Sequence, residues 1–557
     1  MTGFLTNGRE PFSRREWTVL AAILLVAFTA RTWRLDTTSM DHYDEGVYAF
    51  SAWGLSDAAR PLHPEQRNSP ILHPWVTSLA FRLNGGPSDT LMLRVNAVLG
   101  TLTVLALWLV ARRWFGPGAA VGAAAMLAAN DYHIALSRSG LTDVLFALVF
   151  LLAIAAVAAA IEKPHVFRAV VAGLVVGLAW NTKYHGWLSV VIVTSGLVPF
   201  AIGRRWAAAD YGKAIRQLAI ITVVAMACYA PWAMYLIDAF GSYSEATKYQ
   251  MTFLSREWPS NFVRQAGQQL YFDGVLTRVS LPAAIVAMAF LPPAWSPSMA
   301  WFGMLAATSI VSVLAGGTPL VWLITAAAIP QLMRTRQLTA WIVLAWGAIL
   351  IVLTPVYEPF ARLVVPFVLA CTLASGYALS CWLPRSTSRS SPAWHRAAAL
   401  GVVAVAVVGA VLVARDSPSR WRETRSLPNA ATAIASLVEP GAPVLVIGEA
   451  ALAFHLELAG LKAMKGFENF ELLAEEAREQ YVVTGYYTKG APSLRAGRER
   501  LAPRLKELGR FDFTPTDFRI LDSLRPAAAR AFLDAPDDRY QLTLYRYTPG
   551  VPLTSQP

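Results

Sequence analysis

Cysteine is nearly absent: three residues in 557, Cys228, Cys371 and Cys381, each inside an apolar run. That count excludes a disulfide framework or a thiolate metal cluster. Charge is also sparse. Only 15% of residues are Asp, Glu, Lys or Arg, against roughly 25% in soluble domains, which excludes an ordinary soluble enzyme. There is no H-x-x-x-H and no G-x-S-x-G, so metalloprotease and serine-hydrolase chemistry lack their residues. No G-x-G-x-x-G marks a dinucleotide site, and Gly448 alone is a weak substitute. Internal repeats and long low-complexity stretches are missing too.

Hydrophobic residues make up 55% of the chain. Apolar runs recur from Trp17 to Ala414, and about 13 are long enough to span a bilayer once tilt and short members are allowed. The expected fold class is therefore a polytopic α-helical membrane protein. The net charge of +12 sits mostly in short loops between spans. That is a topology signal rather than a nucleic-acid footprint, so no nucleic-acid partner is expected. The run Trp17 to Ala30 follows Arg9, Arg14 and Arg15. A cleaved signal is weighed for it, but continuation of the helix through Arg31-Thr32-Trp33 as an interfacial anchor is favoured.

If the basic N-terminus is cytoplasmic, alternation puts Arg112-Arg113, Lys163 with Arg168, Arg204-Arg205 with Lys213 and Arg216, Arg334 with Arg336, and Arg385 through Arg396 inside. An odd number of spans then leaves the tail after Arg415 outside. The first outer loop, about 36–90, is too long for a turn. Its segment Ile71 to Leu83 is apolar yet too short to span, which predicts an interfacial helix. The loop from Asp238 to Thr277 mixes charges with aromatics, as a flexible interfacial lid would. After Asp416 the composition changes. Pro443 to Ile447, Tyr481 to Gly485 and Leu542 to Tyr547 read as strands; Glu449 to Ala459 and Leu494 to Leu508 read as helices. The expected division is a transmembrane domain at 1–415 and an extracytoplasmic α/β domain at 416–557.

The pair Asp44-Glu45, just past the first span, leads to chemistry. Carboxylates so close to hydrocarbon are expensive unless they are used. Arg138, Lys183, His185 and Arg362 stand at the outer ends of different runs, and His73 opens the interfacial segment. Tyr43, Tyr48, Asp143, Tyr184 and Tyr357 lie beside them as pocket candidates. A carboxylate facing cations suits transfer of a group from a phosphate to a hydroxyl. The carboxylate takes the hydroxyl proton, and the cations meet the charge that grows on the departing phosphate. Every member also has a plainer reading. Asp143 can be a first-turn acid favoured by the helix dipole. Lys183 and Arg362 can be snorkelling anchors, Arg94 can position a helix end, and either histidine can be structural.

The order of these residues resembles the membrane glycosyltransferases of the GT-C type, in the group of dolichyl-phosphate-mannose protein mannosyltransferases (family 39-like) and lipid A aminoarabinose transferases. The resemblance covers about 17–383. It is carried by Tyr43-Asp44-Glu45-Gly46-Val47-Tyr48, Leu93-Arg94-Val95-Asn96, Arg112 to Gly116, Ser137-Arg138 through Asp143, Gly177 to Tyr184, and Arg362-Leu363-Val364-Val365-Pro366. It implies a GT-C fold and a polyprenyl-phosphate sugar as donor. It also implies inversion at the anomeric carbon on the outer face of a bacterial cytoplasmic membrane. Asp44 would be the base, with Glu45 beside it; Arg138, Lys183 and Arg362 would hold the lipid phosphate, with His73 and His185 assisting. One departure stands out. Where aminoarabinose transferases place an acid and a lysine before a proline pair, this chain has Arg67-Asn68-Ser69-Pro70, which leaves Glu65 or His73 to compensate. The acceptor is an unspecified hydroxyl; no metal ligand set is expected, and a divalent ion is allowed but not required. The rival from another class is a transporter or flippase of an anionic lipid-linked sugar. Such a protein would more often show repeats and charges near mid-membrane.

Overall fold

The computed structural model describes residues 11–58, 60, 69–272, 332–333, 335, 337–358, 360–387, 424–466, 470, 473, 478–485, 492–516, 519, 522 and 541–550. Expectations for Glu65, for the Arg67-Asn68 stretch and for spans within 273–331 and 388–423 fall outside these residues.

Helix α1, Arg14–Thr32, opens on a capping box in which Ser13 and Glu16 satisfy each other's backbone amides. Its far end runs towards α2, Tyr43–Ser56, and α3, Leu72–Asn84. At 13 residues, or roughly 20 Å, α3 is too short to cross a bilayer. Then come α4, Asp89–Phe115, α5, Pro117–Ala128, the short α6, Asp131–Ser137, and α7, Asp143–Glu162. They are followed by α8, Val166–Trp180, α9, Leu188–Arg204, and α10, Ala208–Phe240.

Among the described residues five helices are long and apolar enough to cross a membrane: Arg14–Thr37, Asp89–Phe115, Asp143–Glu162, Ala208–Phe240 and Leu338–Val356. Four shorter apolar helices accompany them. With apolar side chains turned outward on α1, α8, α9 and α10, this is the build of a multi-pass membrane protein.

The segment read as a lid is pinned down. Helices α11, Tyr243–Met251, and α12, Trp258–Phe272, form within it. Its backbone pairs with the strand-like stretch before Arg362: Ser255 N–H donates to Val356 O at 2.8 Å and Glu358 N–H to Phe253 O at 2.7 Å. Asn261 and Trp258 add side-chain bonds to Pro355 O and Val352 O at 3.0 and 2.8 Å. A flexible flap would leave those carbonyls to water.

The C-terminal part builds a five-stranded mixed sheet in the order β2-β1-β3-β5-β4. Strands β1, Pro443–Ile447, β2, Lys462–Gly466, and β3, Gln480–Thr484, run parallel. Strands β4, Leu505–Asp512, and β5, Gln541–Tyr547, pair antiparallel, and β5 lies antiparallel to β3. The helix read to Leu508 ends at Leu501 instead. Pro503 interrupts it, and Leu505 begins a strand paired with Tyr547.

This sheet unit docks on the stretch leading into α2. Arg425 donates to Thr38 O at 3.1 Å, His455 Nε2 meets Met40 O at 2.9 Å, and Arg519 donates to Asp41 O at 2.6 Å. The Thr516 hydroxyl donates to Asp41 Oδ1 at 2.8 Å. The helix Ala450–Leu458 lies against α2 so closely that a Cβ on Gly46 would overlap the backbone of Ala450 and Ala451. Only glycine permits that approach.

Candidate active site

Asp44 sits in the first turn of α2. The His42 side chain caps the helix, its Nδ1 accepting the Asp44 N–H at 3.1 Å, and Glu45 reaches back to the His42 amide. A backbone amide can only donate, so Nδ1 is unprotonated in this arrangement. His42 Nε2 therefore carries the hydrogen that faces Asp522 Oδ2 at 3.1 Å.

The neighbours Asp44 and Glu45 part company here, because successive helical residues point about 100° apart. Asp44 faces Arg362, with Oδ2 at 2.6 Å from Nη1. Glu45 is 3% exposed and turned into the backbone. Its oxygens accept from the amides of Asp41, His42 and Gly140 at 2.9, 2.8 and 2.6 Å. Glu45, expected beside Asp44 in catalysis, fastens α2 to the turn before α7. Burial first, then the charge of Asp41, pushes its carboxyl up to about 7 against the pull of those donors. For Asp44, burial also pushes upward and is the largest single influence. The positive charge and hydrogen bonding of Arg362, with His42 beside it, outweigh burial, and its carboxyl lies below the ordinary value.

Arg362 occupies the short 3₁₀ turn Ala361–Val364 that opens the helix Val365–Thr387. Its guanidinium lies between two carboxylates, Nη1 on Asp44 and Nε 3.7 Å from Asp522 Oδ2. Its amide also meets Asp522 Oδ1, at 3.4 Å. Asp522 is 1% exposed. Burial raises its carboxyl, but Arg362 and His42 prevail and hold it at about 2. Sequence reasoning missed both Asp522 and His42.

A second ion pair stands nearby. Lys183 Nζ lies 2.6 Å from Asp143 Oδ1, joining the loop after α8 to the first turn of α7. The charge of Asp143 reaches Arg362 and Tyr48, so the two pairs belong to one polar region. Tyr48, one turn along α2 from Asp44, has its phenol raised by burial and then by the Asp44 charge. Its ring meets the His73 ring edge-on at 5.7 Å between centroids.

Other candidates turn elsewhere. Arg138 donates to Trp33 O at 2.8 Å and Arg31 O at 3.2 Å, closing the end of α1. His73 is fully buried with Nε2 on Asn96 Oδ1 at 3.0 Å, and burial lowers it to about 4. His185 packs edge-on against Phe146 at 4.6 Å, lowered to about 3 by burial and then by Lys183. Burial thus favours the neutral form of both imidazoles, which can meet a phosphate through an N–H donor. Tyr184 joins the cluster of Tyr229 and Trp232. The Tyr357 hydroxyl donates to Gln250 at 2.9 Å. Tyr43 is half-buried at the start of α2, and Arg94 is exposed. Among the described residues no three His, Cys, Asp or Glu side chains are grouped to hold a metal ion.

Asp44, Arg362, Lys183, Asp143 and Asp522 all lie at one end of the helices, the end that carries the sheet unit. Arg112-Arg113, Lys163 and Arg204 lie at the other.

This architecture matches solved membrane glycosyltransferases. ArnT from Cupriavidus metallidurans bound to undecaprenyl phosphate aligns with TM-score 0.57 at 17% identity, over 98% of this chain and 100% of that one. The oligosaccharyltransferase AglB from Archaeoglobus fulgidus, in complex with an inhibitory peptide and a dolichol-phosphate, aligns with TM-score 0.59 at 13% identity, over 96% and 89%. In sequence, residues 68–235 match the family model of dolichyl-phosphate-mannose-protein mannosyltransferases. No curated protein matches the chain in sequence. The fold is that of the GT-C membrane glycosyltransferases.

Proposed function

We propose that this chain is an inverting glycosyltransferase of a bacterial cytoplasmic membrane. It moves a sugar from a polyprenyl-phosphate donor to a hydroxyl acceptor on the outer face. The observation that carries this reading is the contact between the Asp44 carboxylate and Arg362 Nη1 at 2.6 Å, with the Lys183–Asp143 pair beside it. Asp44 takes the proton of the acceptor hydroxyl while that oxygen attacks the anomeric carbon. The new carbon–oxygen bond forms on the face opposite the phosphate, and the bond from carbon to phosphate oxygen breaks. The departing polyprenyl phosphate then approaches two negative charges, which Arg362 and Lys183 meet. Because that charge grows during bond breaking, these cations favour the transition state over bound donor. ArnT bound to undecaprenyl phosphate and AglB in complex with a dolichol-phosphate support a polyprenyl phosphate as the ligand of this fold, and the sheet unit of 416–557 would form an outer domain above the site.

The test is Asp44→Asn in purified protein supplied with a panel of radiolabelled polyprenyl-phosphate sugars and membrane extract as acceptor source. A positioned general base contributes about 10²–10⁴-fold, so transfer should fall by that factor while undecaprenyl phosphate still binds. Transfer at the wild-type rate in this variant removes the base. A transporter would keep moving its lipid without chemistry.

A further inference from the structure

We propose that Asp522, supplied by the C-terminal sheet unit, is a positioning residue for the donor phosphate: it holds the Nε edge and backbone amide of Arg362, and the ring of His42, so that the Nη edge stays turned towards Asp44 and the incoming phosphate. This inference rests on the reading of Arg362 as a phosphate ligand and goes beyond it, because it makes the site composite. The membrane helices provide the base and the cation; a residue 160 positions further along the chain orients them.

Three observations carry it. First, Asp522 makes three contacts with the site: Oδ1 to the Arg362 amide at 3.4 Å, Oδ2 to Arg362 Nε at 3.7 Å, and Oδ2 to His42 Nε2 at 3.1 Å. Second, it is 1% exposed, so these contacts are shielded from solvent and from salt. Third, the residue three positions before it is anchored twice. Arg519 bonds Asp41 O at 2.6 Å and Glu449 Oε2 at 2.9 Å, and both partners of that ion pair are 1% exposed.

The physical consequence concerns geometry. Among the described residues Nη2 of Arg362 has no partner, so one phosphate oxygen can enter there while a second displaces Asp44 from Nη1. Arginine recognises phosphate best as a planar two-pronged donor, which requires its fork to face the ligand. With the Asp522 charge 3.7 Å from Nε and its Oδ1 on the Arg362 amide, the fork is biased towards that orientation before the donor arrives. Without it, the guanidinium is free to close on Asp44 with both prongs, which withholds Arg362 from the phosphate and Asp44 from the hydroxyl. The same Asp522 oxygen sets the His42 ring, and His42 sets the Asp44 amide. One carboxylate therefore orients both the base and the cation.

The experiment is a double-mutant cycle on the binding of undecaprenyl phosphate by the full-length detergent-purified protein. Asp522→Asn should weaken binding about tenfold and Asp522→Glu should restore it to within about threefold. In an Arg362→Gln background, Asp522→Asn should change affinity by less than about twofold, because its effect passes through Arg362. Arg546→Gln, which removes an exposed ion pair with Glu479 in the same sheet unit, should leave affinity near wild type. Additive effects of Asp522→Asn and Arg362→Gln, or unchanged affinity in Asp522→Asn, overturn the inference. The functional reading is judged separately. Loss of transfer in Asp44→Asn alongside an additive cycle keeps the glycosyltransferase and discards the role of Asp522. Retained transfer in Asp44→Asn discards the base whatever the cycle gives.

Discussion

Replacing Gly46 with alanine adds one methyl group two residues past Asp44. The added Cβ would fall inside contact distance of the Ala450 carbonyl carbon and the Ala451 amide nitrogen. Those are backbone atoms, so no rotamer change relieves the overlap; α2 and the helix Ala450–Leu458 must move apart. Overpacking of this kind costs about 1–3 kcal/mol. Alanine in a helix returns about 1 kcal/mol relative to glycine, so the net loss of stability should be about 0–2 kcal/mol. Activity should suffer far more. The movement shifts Asp44 against Arg362 by on the order of 1 Å, and misplacement on that scale costs about 10²-fold in rate. Thermal unfolding in detergent and the sugar-transfer assay measure the two effects independently. Gly203→Ala is the control: it lies on α9 with nothing within 4 Å of its added Cβ, so activity should be unchanged. Full transfer activity in Gly46→Ala would refute the claim that docking of the sheet unit sets the position of Asp44.

Two further outcomes are expected. Lys183→Met leaves the Asp143 carboxylate, 4% exposed, without its cation and should cost about 3–5 kcal/mol. Adding Asp143→Leu should recover most of that stability while undecaprenyl phosphate binding stays weak; recovery of binding as well would remove Lys183 from the phosphate site. Asp522 is held at about 2, below its ordinary 3.8, so its charged form stabilises the folded chain above 3.8 and that contribution is lost as pH falls through 2. The difference in melting temperature between wild type and Asp522→Asn should therefore be level from pH 8 to about 5 and fade below that. A difference already gone at pH 6 would contradict this.

How much of this could be read from the residues differs element by element. The long helices were legible because an apolar run has no other stable state in a bilayer. The strands β1, β3 and β5 were legible from short β-branched and aromatic runs. Strand β4, Leu-Lys-Glu-Leu-Gly-Arg-Phe-Asp, was not: its composition suits a helix, and pairing with β5 overrides that preference. For the site, Asp44, Lys183 and Arg362 stood out as charges at the ends of apolar runs. What separated Asp44 from Glu45 was the register of α2, and its signal was present in His42-x-x-Glu45, the spacing of a capping box. Asp522 left no local signal, since its meaning comes from a partner 160 residues away. Arg138 looked like its fellow cations because sequence shows that a charge ends a helix, not which carbonyls it will meet.

The sheet unit grips the entry to α2 largely by main-chain oxygens, those of Thr38, Met40 and Asp41. Every amino acid presents the same carbonyl, so side chains at 38 and 40 can change within the limits of their burial, 6% and 0% exposed, without loosening that grip. The donors Arg425, His455 and Arg519 have no such freedom, because their reach and hydrogens are particular to them. Divergence between copies of this protein should therefore accumulate on the membrane side of the seam and spare the soluble side.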